Sequence, residues 1–107
     1  MAYQDRSMAA RDIAARINGL NRERRYVAPR ELMRELRTIR GLSQVAELRA
    51  VAGLAHALEC ELIACGEEAP IRAYLDRMHD AVEVVHDDQP RFIALALATL
   101  GTRMALA

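Results

Sequence analysis

Two stretches of this sequence hold the side chains that could do chemistry. In "MHDAVEVVHDD", Met78 to Asp88, His79, Glu83 and His86 stand at i, i+4 and i+7. On one helix that spacing brings an imidazole, a carboxylate and a second imidazole onto the same flank. Glu83-x-x-His86 is also the ligand spacing of carboxylate-bridged metal sites in helix bundles. In "LAHALEC", Leu54 to Cys60, His56 and Glu59 repeat the motif types one helix earlier. Imidazole nitrogen and carboxylate oxygen together suit iron, manganese or zinc. One reading is therefore a metal centre built from His56, Glu59, His79, Glu83 and His86. A full two-metal site needs two Glu-x-x-His helices, so a symmetric dimer would have to supply the second. The simpler reading pairs Glu59 with Arg77 or with an arginine of the second helix, and leaves the histidines at the boundary of the core. Glu59 falls among apolar neighbours, and a bare buried carboxylate is too costly to leave without a cation, metal or hydrogen bond.

These residues need elements to hold them. The chain has 107 residues, enough for one domain with a modest core. Over half of the residues are hydrophobic, chiefly Ala and Leu, with one Phe and no Trp. That composition favours helix over strand. The expected object is a single all-helical domain, 1–107, a small bundle of about five helices with antiparallel neighbours, forming a dimer.

A first helix is expected over residues 4–19, stopped at Asn18-Gly19. "NRERRYV" (21–27) reads as a basic connection. Pro29 suits the first turn of a second helix, which Gly41 would close. Leu32, Leu36 and Ile39 form its buried stripe, and Arg30, Arg34 and Arg37 lie on the other side. Ser43 is then expected to cap a long third helix ending at Gly66. Its apolar face is Val45, Leu48, Ala52, Ala55, Leu62 and Ile63, with Val51 and Leu58 on one edge, and Gly53 marks a close approach of another helix. A fourth helix, about 70–87, has the seam Ile71, Leu75, Met78, Val82 and Val85, at alternating spacings of four and three. "DDQP" breaks it before a last helix. There Phe92, Ile93, Leu97, Leu100 and Met104 share one broad face, and Leu95 and Leu106 stand on another. So much apolar surface on a terminal helix implies a subunit contact.

"LAHALECELIACG", Leu54 to Gly66, resembles at His56 to Cys60 the H-x-L-K-G pattern of histidine phosphotransfer domains, which are helical bundles with an exposed histidine in mid-helix. The resemblance implies a phosphoryl carrier at His56. It covers about a dozen residues, and the Lys and Gly of the pattern are replaced here by Glu59 and Cys60. A module of this kind would be a degenerate one, because Glu59 would repel phosphate.

All fifteen basic residues are arginine, and net charge is zero. Residues 1–53 carry eleven arginines against six acids, and residues 54–107 four against nine. The basic half includes Arg22, Arg24 and Arg25 beside Tyr26. Interleaved acids weaken its field, so an acidic protein partner fits it better than nucleic acid. No Gly-rich phosphate loop or nucleophile elbow is present, so an enzyme is not the favoured class. Cys60 and Cys65 diverge by about 140° on one helix and do not bridge each other. Free thiols, the absence of a secretory pattern in "MAYQDRSMAARD" and the absence of a spanning apolar run lead to the expectation of a cytoplasmic protein without a resident cofactor. Its function would be protein–protein interaction: self-association through Leu95 and Leu106, and a charged partner on Arg30, Arg34 and Arg37.

Overall fold

The computed structural model describes residues 3–23 and 28–106, with side chains described within 8–23 and 28–101. Five α-helices follow one another: α1 (Tyr3–Glu23), α2 (Pro29–Val45), α3 (Arg49–Cys65), α4 (Ile71–Val82) and α5 (Gln89–Leu106). Single 3-10 turns, Gly66–Glu68 and His86–Asp88, lead into α4 and α5. Among the described residues there is no strand. The all-helical bundle expected from composition is the observed architecture. None of the described helices is long and apolar enough to cross a membrane.

The middle helix is α3, which packs against α2, α4 and α5, while α1 lies across α2 and α4. Leu54, Leu58, Leu75, Met78, Leu36 and Ile39 are fully enclosed where these helices meet. Gly53 faces α5. A Cβ there would stand 1.9 Å from Ile93 Cδ1, so the missing side chain leaves the space in which the end of Ile93 rests on α3.

Several helix ends differ from expectation, each for a physical reason. α1 runs through Gly19 to Glu23, because Leu20 continues the Ile13 and Ile17 stripe into the core. Asn21 then donates to Asp76 Oδ1 of α4 at 2.9 Å, fixing the extra turn. α2 starts at Pro29, as expected, but passes Gly41 and ends at Val45. Ser43 is not a cap. It is fully buried as the next member of the Leu32, Leu36, Ile39 stripe. Its hydroxyl has no hydrogen-bond partner there.

The stop of α2 comes from Glu47, whose φ of 61° puts a non-glycine residue in the left-handed region. Leu48 N–H bonds Ser43 O at 2.8 Å and Glu47 N–H bonds Gln44 O at 3.2 Å. That pair of bonds is the Schellman ending, with glutamate where glycine is usual. The break shifts the phase of α3, so Val51, Leu54 and Leu58 lead its buried face. Val45 and Ile63, expected inside, are 71% and 76% exposed.

α4 ends at Val82, about one turn short of expectation, and Val85 is exposed. The reason is Gln89, which is fully buried. Its amide nitrogen donates to Ala81 O and Val84 O, each at 2.8 Å, and its oxygen accepts from Ala50 N–H at 2.8 Å. One side chain thus closes the C-terminal end of α4 and the N-terminal end of α3, where backbone groups lack helical partners. Beyond Gln89, the buried residues of α5 among the described side chains are Ala96 and Leu100, and Phe92 and Ile93 are half-buried. Leu97, expected on the inner face, is 37% exposed.

Candidate functional site

Glu59 is the point to build from. It lies on the inner side of α3 and is 6% exposed. Arg37 and Arg40, one turn apart on α2, both reach it. Arg40 Nε stands 3.0 Å from Oε2, and Arg37 Nε 3.5 Å from Oε1. The Oε2 contact is close in distance but does not have hydrogen-bond geometry, since Oε2 has no hydrogen-bond partner. It is therefore an ion pair that compensates a desolvated carboxylate by charge. The two arginines are unequal. The Arg40 side chain is 33% exposed and that of Arg37 is 64% exposed, so solvent screens Arg37 more strongly.

The polar chain continues outward. Arg40 Nη1 lies 3.4 Å from His56 Nδ1, and His56 Nε2 lies 3.8 Å from Cys60 Sγ. An arginine can only donate, so a neutral His56 in this arrangement accepts at Nδ1 and carries its proton on Nε2. His56 is exposed in mid-helix, as the phosphotransfer-like pattern requires. Glu59, at the position of that pattern's lysine, is turned inward onto two arginines.

The other three candidates lie elsewhere. His79 is half-buried in the last turn of α4. Glu83 is the residue that follows the helix, and His86 sits in the 3-10 turn beyond it. The i, i+4, i+7 ridge therefore loses its helix after Val82. His86 Nδ1 instead lies 3.8 Å from Glu47 Oε2, both side chains being about half exposed. Among the described residues, no three His, Cys, Asp or Glu side chains are placed to share a metal ion.

Cys60 and Cys65 are free and exposed, and the Cys65 thiol donates to Glu61 Oε2 at 3.8 Å. Arg30 and Arg34 stand exposed on α2. Leu95 is 61% exposed on α5. The side chain of Leu106 lies outside the described residues, as do those of Met104, Arg24, Arg25 and Tyr26.

Between α1 and α2 a cleft of about 320 Å³ is lined by Arg16, Leu20, Glu23, Glu31 and Glu35. Arg16 Nη1 donates to Glu35 at 3.0 Å and Nε to Asp12 at 3.3 Å. Glu35 first, then Asp12, holds the Arg16 guanidinium above its usual pKa. Burial pushes the Tyr74 phenol above its ordinary value of 10.0, with the negative charges of Glu61 and Cys60 adding to the shift.

One residue escaped sequence reasoning: Gln89 gave no signal, because a buried glutamine is recognised only by what surrounds it. Of the two partners expected for Glu59, the second helix supplies it, through Arg37 and Arg40, while Arg77 pairs with Asp80. Comparison with protein-family models, with characterised proteins and with solved structures gave no match to this chain.

Proposed function

We propose that this protein is a non-catalytic binding bundle that works by associating with itself and with a charged protein partner. The observation that carries the reading is the outer side of α5. From Phe92 to Thr102 that helix has no charged residue, yet Ala94, Leu95, Leu97, Ala98 and Gly101 are exposed. A helix side that is apolar and wet in the free chain is a surface awaiting cover. The charged partner is assigned to the basic side of α2, where Arg30 and Arg34 are exposed and Glu59 anchors Arg37.

Sedimentation velocity across a concentration series tests the first part, with a reversible dimer as the expected result. Titration with a fluorescent polyglutamate peptide tests the second. Binding that weakens with salt and is lost in Arg30→Gln/Arg34→Gln supports a basic docking face. Binding that is absent, or indifferent to both changes, refutes it.

A further inference from the structure

The outer face of α5 also points to how two copies would meet. This inference rests on the self-association reading and goes further by fixing the partner surface and its direction. We propose that α5 packs antiparallel against α5 of a second copy, crossing near Ala94 and Ala98.

Charge selects the partner surface. The exposed sides of α1, of α4 and of α2 as far as Arg40 carry charged residues, such as Arg11 and Asp12, Arg30 and Glu31, Asp76 and Arg77, and beyond Arg40 the exposed large apolar residues of α2 are Leu42 and Val45. On α3 the outward His56 is engaged by Arg40. Placing any of the charged sides against the α5 face would strip water from charges and return no partner. The outer side of α5 matches itself. A two-fold axis makes that self-match into a closed pair.

Size and charge also select the direction. Ala94, Ala98 and Gly101 fall within about 60° of one another on the helix, flanked by Leu95 on one side and Leu97 on the other. Small residues at the crossing let two helix axes approach closely, and the leucines fill the sides. Arg91 is the charge at the start of this face. In a parallel pair, Arg91 would meet Arg91 of the partner subunit. In an antiparallel pair centred at the level of Ala96, it lies beside Gly101 of the partner subunit. Ala94 then faces Ala98 of the partner subunit, while on the two flanks Leu95 lies beside Leu95 of the partner subunit and Leu97 beside Leu97 of the partner subunit. Antiparallel packing also opposes the helix dipoles favourably.

The 18 residues of α5 make a helix about 27 Å long. One such helix per partner lies at the lower end of stable interfaces, near about 1,200 Å² in total.

The experiment combines sedimentation with disulfide trapping. Leu95→Arg and, separately, Ala98→Glu should each weaken dimerisation at least about tenfold while leaving helical circular dichroism unchanged. Both sites are exposed, so either variant serves if the other misfolds. In a Cys60→Ser/Cys65→Ser background, Ala94→Cys and Ala98→Cys proteins are mixed and oxidised with diamide. The expected product is the mixed disulfide joining position 94 of one copy to position 98 of the other. Dominant 94–94 and 98–98 products would overturn the antiparallel pairing. A dimer that survives both charge variants would place self-association elsewhere, ending this inference but not the broader reading. A chain that stays monomeric throughout would end both, leaving only the charged-partner proposal.

Discussion

Replacing Gln89 with leucine should be among the most damaging single changes in this chain, although the two residues are similar in bulk. Gln89 makes three bonds of 2.8 Å, to Ala50 N–H, Ala81 O and Val84 O. Ala81 O keeps a second partner in Val84 N–H at 3.2 Å, so its loss is small. Ala50 N–H and Val84 O lose the bonds Gln89 gave them. Ala50 is the second residue of α3, where no intrahelical carbonyl is in reach. An orphaned buried backbone group costs about 1–3 kcal/mol. Ala50 N–H is fully buried and Val84 O only partly, so together they cost about 3 kcal/mol, and the gain from burying a leucine of about 1 kcal/mol leaves a loss of roughly 2 kcal/mol. Domains of this size have about 5–15 kcal/mol in all, so the midpoint of thermal unfolding should fall by roughly 8–16 °C. Urea unfolding followed by helical circular dichroism measures the loss. Gln89→Glu adds a signed check. Its carboxylate still accepts from Ala50 but faces two carbonyl oxygens, so the folded state favours the protonated acid and its pKa rises above the unfolded value. The variant's deficit should therefore be smallest below about pH 4 and grow as pH rises through the carboxylate range. A Gln89→Leu loss under about 1 kcal/mol would refute the clasp, since two orphaned groups cost at least about 2 kcal/mol and the leucine returns about 1 kcal/mol.

Three further outcomes follow from the same packing. Ser43→Ala should leave stability unchanged or raise it, because the buried hydroxyl is unpaired; a loss of about 1 kcal/mol in urea unfolding would instead mark a helix cap. Arg40→Ala should cost about 2 kcal/mol by leaving the buried Glu59 only the solvent-screened Arg37, and Arg37→Ala under about 1 kcal/mol, so equal losses would contradict the assigned geometry. Tyr74, with its pKa raised, keeps its proton in the folded state after the unfolded chain has lost it, so stability should fall as pH rises above about 10, and Tyr74→Phe should flatten that fall in alkaline unfolding curves.

Much of the fold was legible where local chemistry and tertiary packing agree. Pro29 opens α2 and Gly66, at φ 59°, closes α3, each as its backbone preferences require. The Leu32, Leu36, Ile39 stripe and the Ile71, Leu75, Met78 seam lie at the core because their spacing matches the helical repeat. Reading failed where packing overrode local signals. Gly19 and Gly41 look like stops, but Leu20 and Ser43 carry the buried stripe past them. Glu47 looks like a helix residue and instead holds the left-handed turn. The end of α4 is set by a glutamine that also binds Ala50, and no local pattern shows a contact 39 residues away in sequence. At the candidate site, the need of Glu59 for a cation followed from its place among apolar residues. Which arginines answer it depended on how α2 lies across α3, and that rests on the true end of α2.

We propose the uncharged side of α5 as the contact surface between copies of this chain. Sedimentation velocity of the wild-type protein and of Leu95→Arg, over a concentration range spanning about 1–100 μM, tests it most directly. A concentration-dependent dimer is expected for the first and a monomer for the second, with equal helical content. A wild-type chain that remains monomeric over the whole range, or a dimer indifferent to the arginine, would contradict it.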